Sequence, residues 1–348
     1  MSKRRASSHK VSTPVLCWDI KRLIINQLQH ESAVLILVCR DWHAFICAQD
    51  WNQLLQEWHT GSLEEGVLAL KNGHERDKHI TFIGGEAHKY TITEWDGARF
   101  IITTPRPKKH PLFMSGLLSV TTFVHHLFPE FDKVDALAKG RRGRNKKKYE
   151  GKTDEEVFQE WEDNRVASSN EGTLMHENIE NYYNGLPHHV DTKEFALFMR
   201  YHHVLEKEGR LRPWRTEMMV YDLPLMLVGS IDKIYEFVDP SQQYTACGKK
   251  RLVVADWKRS KEIKRNNRWQ KGCTSLTAGM DDCNYQHYTM QLNIYKLILE
   301  RQYNVSVVEM YLVILHPNQD DYEKIPVTMT NQERARIVKF RRSQVLLG

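Results

Sequence analysis

The apolar positions of the first sixty residues recur with a helical period. Ile20, Leu23, Ile24 and Leu28 fall on one face, and a second apolar stretch begins at Ala33. Apolar residues spaced three and four apart predict amphipathic helices. We therefore predict a small helical module over residues 13–60, preceded by a disordered basic tail over residues 1–12.

The pattern then changes to that of strands. Two short runs, 90–95 and 98–103, flank the dipeptide Asp96-Gly97, which is a strong signal for a β-hairpin. Prolines follow closely. Residues 61–110 are therefore predicted to be a linker and a hairpin, and residues 111–348 a larger domain.

Two apolar runs in the larger domain predict buried strands that carry acids. Residues 252–258 are branched and apolar up to a polar end, and strand alternation places Asp256 and Lys258 on one face. Residues 225–238 carry Asp232 among apolar neighbours, where a lone acid is costly unless it is paired or binds a cation. The connection between the runs is polar, so Asp232 and Asp256 are expected to face each other. A divalent cation between them would offset their repulsion.

Helices are predicted on either side of these strands. One covers about 153–167, and another begins near Glu171 with Asn170 or Thr173 as its cap, which places His176 on its first turns. A third is predicted from about residue 285 to residue 301, and Gln291 and Tyr295 share one of its faces. Both side chains are expected to reach the acids.

Four motifs in order carry a resemblance to a known family: Gly-Thr-x-x-His (172–176), Gly-Ser-Ile-Asp (229–232), Asp-Trp-Lys (256–258) and Gln-x-x-x-Tyr (291–295). Over about residues 110–330 the chain resembles the RecB-like branch of the PD-(D/E)XK nucleases, which includes lambda exonuclease. The whole layout looks like nucleases encoded by large DNA viruses. The resemblance implies an α/β, restriction-endonuclease-like core in which helices flank a central mixed β-sheet.

The resemblance also implies a role for each residue of the site. Asp232 and Asp256 would bind Mg²⁺ or Mn²⁺ with the carbonyl of Trp257, and His176 would be a further ligand or support one. Lys258 would orient the attacking water. Glu217, expected at a strand start, fits the acid often found one strand earlier, and Gln291 and Tyr295 would contact phosphate or brace the site. No cysteine follows Cys283, so no iron–sulfur cluster is expected.

Positive charge is concentrated in two segments, although the net charge is only +6. Residues 139–148 carry seven basic residues and no acid, and residues 258–271 carry seven against one glutamate. Such segments suit a polyanion. A solvated loop or a nuclear-import signal is the alternative interpretation. The nucleic-acid-binding candidates are Arg141, Arg142, Arg144, Lys146, Lys147, Lys261, Lys264, Arg265 and Arg268.

The N-terminal module has a resemblance of its own. Val38-Cys39-Arg40-Asp41-Trp42 and Trp51-x-x-Leu54 resemble the F-box, which implies docking on a Skp1-type adaptor of ubiquitin ligases. The Leu-Pro-x-Glu sequence with which an F-box usually begins is missing. Pro14-Val15-Leu16 is the nearest match, with Asp19 in place of the glutamate. A helical cap on the larger domain is the alternative.

Several classes are disfavoured by what the sequence lacks. It has no run of about 18 apolar residues, so no membrane span is predicted, and its N-terminus does not read as a secretory signal. The six cysteines show no disulfide spacing and no CxxC pair, which favours a reducing intracellular location. The resemblance to viral nucleases implies the host nucleus or a cytoplasmic viral factory.

The function predicted from the sequence is a divalent-metal-dependent DNA nuclease, an exonuclease by resemblance, acting in repair, recombination or replication. DNA contacts are expected to be largely independent of base sequence. Two alternatives remain open: an F-box-type adaptor whose larger domain only binds nucleic acid, and an RNA-directed nuclease.

Overall fold

The computed structural model describes residues 68–83, 89–95, 99–104, 108–110, 113–143 and 146–347, all of which belong to the unit Val67–Gly348. The predicted tail, the F-box-like module and Arg144 lie outside the described residues. Within the part that is described, no helix is both long and apolar enough to cross a bilayer.

Nine strands and seven α-helices occur among the described residues. The strands are β1 (Ile80–Ile83), β2 (Lys89–Trp95), β3 (Arg99–Thr103), β4 (Leu118–Ser119), β5 (Leu211–Asp222), β6 (Leu227–Phe237), β7 (Lys250–Lys258), β8 (Val305–Ile314) and β9 (Glu323–Pro326). The helices are α1 (Leu68–Lys71), α2 (Val120–His126), α3 (Lys133–Arg142), α4 (Asp154–Tyr183), α5 (Lys193–Glu208), α6 (Asn284–Gln302) and α7 (Asn331–Leu346). The α/β class predicted from the sequence is confirmed.

The main sheet is six-stranded and mixed. β6 is central: β5 pairs with it antiparallel along one side, while β4 (parallel) and β7 (antiparallel) share the other side. β8 then pairs parallel with β7, and β9 antiparallel with β8. The two predicted acid-bearing strands are therefore neighbours, as their polar connection indicated.

Helices cover both faces of this sheet because strand side chains alternate. Val254 faces a core formed with α2, α6 and α7, whereas Val253 and Trp257 face a second core formed with α4 and α5. Burial of a strand on both faces explains why its sequence is almost continuously apolar. Trp257 packs edge-on against Phe198 and Tyr201 in this second core.

A separate three-stranded antiparallel sheet is formed by β1, β2 and β3. The paired strands of the predicted hairpin are confirmed, with Trp95 opposite Arg99, and β1 pairs with β2 as a third strand. Ile80 and Ile92 of this sheet pack with Tyr221 and Val228 of the main sheet. This segment is therefore packed structure rather than a simple linker.

Helix α4 is one continuous element of 30 residues. Its N-cap is Thr153, whose hydroxyl accepts from the Glu156 N–H while the Glu156 carboxylate accepts from the Thr153 N–H. The predicted end near residue 167 and the predicted caps at Asn170 and Thr173 are wrong. Residues 162–171 are exposed all round, so they carry no apolar stripe although they are helical. His176 accordingly lies near the C-terminal end of α4.

Candidate metal centre

Three acids occupy the same level on three adjacent strands. In the β5–β6 ladder Thr216 pairs with Lys233 and Met218 with Ile231, which sets Glu217 opposite Asp232. In the β6–β7 ladder Lys233 pairs with Ala255, so Asp256 is the next residue alongside Asp232. Glu217 therefore lies in the middle of β5, and its expected place at a strand start is wrong. The sheet itself brings the predicted acids together.

The edge of β6 opens next to Asp232. β4 pairs with β6 only at Leu227 and Val228, and β7 pairs with it only from Lys233 onwards, so no strand among the described residues pairs with this edge in between. Across this opening the Trp257 N–H donates to Asp232 Oδ2 at 2.8 Å. The hydrogen bond holds the carboxylate in the gap, where a cation can approach it.

The backbone of Glu217 is unusual for a strand residue. Its φ is 41°, in the left-handed region that non-glycine residues rarely adopt, and the β5–β6 pairing skips it. The Ser230 hydroxyl donates to Glu217 Oε2 at 2.8 Å. Strain of this kind, worth about 1–3 kcal/mol, tends to persist where a side chain is held for a task. Here the residue with the left-handed backbone is Glu217, and its carboxylate belongs to a cluster of charged groups.

His176 reaches this cluster from α4. Its Nδ1 lies 3.5 Å from Glu217 Oε1 and 3.6 Å from Asp232 Oδ2. The three residues each offer one ligand atom, and these atoms lie within 4.8 Å of one another. Two ligands opposite each other on a cation with bonds of about 2.1 Å are about 4.2 Å apart. The spacing of His176, Glu217 and Asp232 is thus compatible with one small divalent cation.

Asp256 makes a different contact. Its Oδ2 forms an ion pair with Lys258 Nζ at 2.5 Å, and its side chain is almost fully buried. Burial alone would lower the pKa of Lys258, but Asp256 and Asp232 raise it above its usual range. Lys258 therefore stays protonated beside the acids. Whether Asp256 and the Trp257 carbonyl also bind the cation stays a prediction.

Burial and the neighbouring carboxylates shift the pKa values of Asp232 and His176. Burial and the neighbouring Asp256 raise the pKa of Asp232 to about 7. Burial would lower the pKa of His176, but Asp232 and Glu217 raise it to about 9. The imidazolium thus supplies positive charge that these carboxylates require. A divalent cation could replace that proton, which is a usual property of metal sites.

Helix α6 presses an aromatic side chain against the opening in the sheet. A Cβ at Gly229 would lie 2.8 Å from Cε1 of Tyr295 and 2.9 Å from its hydroxyl oxygen, so the ring occupies the space above the glycine. Burial raises the pKa of Tyr295 well above its usual range, while a hydrogen bond with Gln291 lowers it. Tyr295 therefore packs on β6 at Gly229, and Gln291 is hydrogen-bonded to Tyr295. Contact of the two side chains with phosphate stays a prediction.

We expect Gly229→Ala to displace Tyr295 and to destabilise the protein by about 1–3 kcal/mol, the usual cost of overpacking a tight site. Urea unfolding with added EDTA measures this. Gly279→Ala is the matched control, because a Cβ there meets nothing within 4 Å. Equal unfolding midpoints for the two variants would contradict the packing of Tyr295 on Gly229.

One residue near the site was not singled out in the sequence. Tyr288 lies on α6, and Lys258 Nζ is 4.9 Å from its ring centroid. Burial raises the pKa of Tyr288, and Lys258 lowers it. Tyr288 precedes Gln291 by three residues and so shares its face, a helical spacing that could have identified it.

The first basic segment is partly structural. Arg141 pairs with Asp154 at 2.7 Å and donates to the carbonyls of Tyr149 and Lys152. Arg142, Lys146 and Lys147 are exposed. Arg141 is therefore used to hold the turn before α4, and only its neighbours remain open to a polyanion.

The second basic segment leaves the site directly after Lys258. Arg259 is bound by Glu171 of α4 and Glu194 of α5, at 2.8 and 2.7 Å. The remaining predicted contacts in this segment are exposed, and these are Lys261, Lys264, Arg265 and Arg268. Positive side chains thus extend from the acid cluster to the surface.

Comparisons with known proteins do not identify this arrangement. No protein-family model matches the chain, and no curated protein matches it. One solved structure that it resembles is described as "Crystal structure of SSO0001", at 17% sequence identity and a TM-score of 0.19. That match covers 44% of this chain and 57% of the other, so it spans little more than half of that protein. A likeness of this size supports no conclusion about fold family or activity.

Proposed function

We propose that the protein is a divalent-metal-dependent DNA nuclease with a restriction-endonuclease-like core of the PD-(D/E)XK type. One observation carries the proposal: Glu217, Asp232 and Asp256 lie side by side on adjacent strands, with Lys258 protonated beside them and His176 within reach. Binding nucleic acid alone requires no such set, because clustered carboxylates repel a phosphate backbone. A cation among them reverses that sign.

The residues present fit a small cation. His176, Glu217 and Asp232 supply one nitrogen and two oxygen ligands that lie within 4.8 Å of one another. Asp232 is only 11% exposed, and a buried carboxylate with a raised pKa gains most from a bound cation. When bound, the cation would polarise the phosphate and make a coordinated water more acidic. Mg²⁺ and Mn²⁺ both accept carboxylate oxygens.

The chain's own groups would do the rest. Lys258, held by Asp256, places a fixed positive charge where negative charge gathers on the non-bridging oxygens during attack by water. Its high pKa makes it a charge stabiliser rather than a general base at neutral pH. The 3′-oxygen would then leave. Exposed lysines and arginines of the second basic segment would hold the backbone without reading bases.

We expect Mn²⁺ to bind more tightly than Mg²⁺, because His176 contributes an imidazole and Mg²⁺ prefers oxygen ligands and retains its waters. Isothermal titration of the apoprotein with each ion measures the two affinities. His176→Gln should weaken Mn²⁺ binding more than it weakens Mg²⁺ binding. An unchanged ratio of the two affinities in that variant would show that the imidazole is not a ligand.

Cleavage of labelled DNA tests the proposal itself. Linear end-labelled DNA and closed circular DNA are incubated with Mg²⁺, with Mn²⁺ or with EDTA, and an RNA strand of the same sequence is run in parallel. Cleavage of linear DNA that requires a divalent ion is expected, and intact circles would mark an exonuclease. No cleavage of DNA with either ion would overturn the proposal, and cleavage of RNA alone would assign a different substrate.

A further inference from the structure

The connection between β7 and α6, residues 259–283, presents a large aromatic side chain to solvent. Trp269 is 94% exposed, more than any other large hydrophobic residue in the part of the chain that is described. Burying a large apolar side chain stabilises a protein in proportion to the apolar area removed from water. A tryptophan held entirely in water forgoes this gain, which suggests that another molecule covers it.

The backbone around Trp269 is fixed rather than loose. The Trp269 N–H donates to Asn267 Oδ1, and the Asn267 N–H donates to Asp281 Oδ2. Asn267 Nδ2 also donates to the Asp282 carbonyl, and the Asp282 N–H donates to the Gln270 carbonyl. The indole is therefore presented from a braced turn, which lowers the entropy lost when a ligand binds.

The segment that carries Trp269 is positively charged. Lys261, Lys264, Arg265 and Arg268 are all exposed, and none of them forms an ion pair with a carboxylate of the described residues. An aromatic platform among exposed cations suits a ligand that has flat rings on an anionic backbone. That is the chemistry of an unpaired nucleic-acid strand.

This surface is continuous with the acid cluster through α6. Lys258 Nζ lies 4.9 Å from the ring of Tyr288, and the Arg265 guanidinium lies 5.1 Å from the ring of Tyr285. Tyr285 and Tyr288 are three residues apart, so their side chains are neighbours on the helix, about 5 Å apart. A strand that reaches Lys258 can therefore also contact Arg265, which lies four residues before Trp269 in the chain.

We propose that Trp269 stacks on an unpaired base of the substrate, so that the site accepts single strands or single-stranded ends in preference to blunt duplex. The preference follows because bases inside a duplex already stack on both sides, whereas an unpaired base has a free face. This inference rests on the proposed nuclease function, since it deepens the same site. The stacking contact is expected to tighten binding by about 5- to 150-fold.

Binding measured without cleavage tests the contact. Fluorescence anisotropy with EDTA gives the affinity of the full chain for a labelled single strand and for a blunt duplex of the same length. Trp269→Ala should weaken single-strand binding by about 5- to 150-fold and leave duplex binding within about twofold. Trp269→Phe should recover most of the loss. Tyr244→Ala, at another exposed aromatic residue, is the control and should change neither.

Three results would overturn the stacking contact: equal losses on both DNAs, no loss on either, or no recovery with phenylalanine. If Trp269→Ala binds every nucleic acid as tightly as the parent protein, the exposed indole would instead be assigned to a contact with another protein. Because no cleavage is measured, the outcome is separate from the nuclease proposal. If Trp269→Ala binds single strands normally and the parent protein still cleaves DNA with a divalent ion, only the stacking contact is rejected. If Trp269→Ala binds single strands more weakly but the parent protein cleaves no DNA, only the nuclease proposal is rejected.

Discussion

Lys258→Gln is expected to lower the rate of DNA cleavage by at least about 10²–10³-fold, since it removes the positive side chain that the proposed mechanism places against the reacting phosphate. The change leaves Asp256 buried beside a neutral amide that can still donate to it. We therefore expect a loss of stability of about 1–3 kcal/mol but a folded protein. Single-turnover cleavage of a labelled strand at saturating Mn²⁺ gives the rate of the chemical step.

The affinity for Mn²⁺ distinguishes this loss from general damage. Lys258 repels a cation at the acid cluster, so the variant should bind Mn²⁺ as tightly as the parent protein or more tightly while it cleaves far more slowly. Lys207→Gln, at an exposed lysine near the end of α5, is the control and should keep the parent rate within a few fold. A Lys258→Gln protein that cleaves at the parent rate would show that this lysine has no part in the reaction.

Asp232→Asn is expected to weaken Mn²⁺ binding by at least about 100-fold, because it replaces the carboxylate at the centre of the three strands. The amide oxygen can still accept the Trp257 N–H, so the local fold should persist. Isothermal titration gives the affinity, and Asp320→Asn, at an exposed acid, is the control. Parent-like Mn²⁺ binding by the Asp232 variant would contradict its role as a ligand.

The same substitution should stabilise the protein when EDTA is present. The pKa of Asp232 is raised to about 7 in the folded state, above its value in the unfolded chain, so the folded state binds this proton more tightly. Stability from this group is therefore present at low pH and is lost as the pH rises from about 4 to 7. At pH 8 we therefore expect Asp232→Asn to unfold at a higher urea concentration than the parent protein. The difference should shrink at pH 4.

Strands β6 and β7 of the main sheet are predictable from the sequence because they are buried on both faces. The run that ends in Asp256-Trp257-Lys258 is short, branched and apolar, so β7 lies where the pattern predicts it. Helix α6 agrees with its predicted bounds to within one residue at each end. Residues that lie in a packed layer leave a periodic pattern in the sequence.

Other features could not be predicted, for distinct physical reasons. The middle of α4 projects into solvent, so its polar residues resemble a break between two helices. The left-handed backbone at Glu217 depends on its neighbours across the sheet, and a glutamate gives no local sign of it. The sequence identified all five of these site residues as candidates, but it did not show how they group. In the structure Glu217 and His176 form a compact ligand set with Asp232, and Asp256 pairs with Lys258.

The most direct measurement is the anomalous difference density of Mn²⁺ in a crystal of the protein. If the acids of three strands converge on one ion, a single strong peak should lie about 2.0–2.3 Å from carboxylate oxygens of Glu217 and Asp232, with a nitrogen of His176 at a similar distance. A crystal soaked at saturating Mn²⁺ that shows no peak there, or a peak bound only by surface acids elsewhere, would contradict the proposed metal centre.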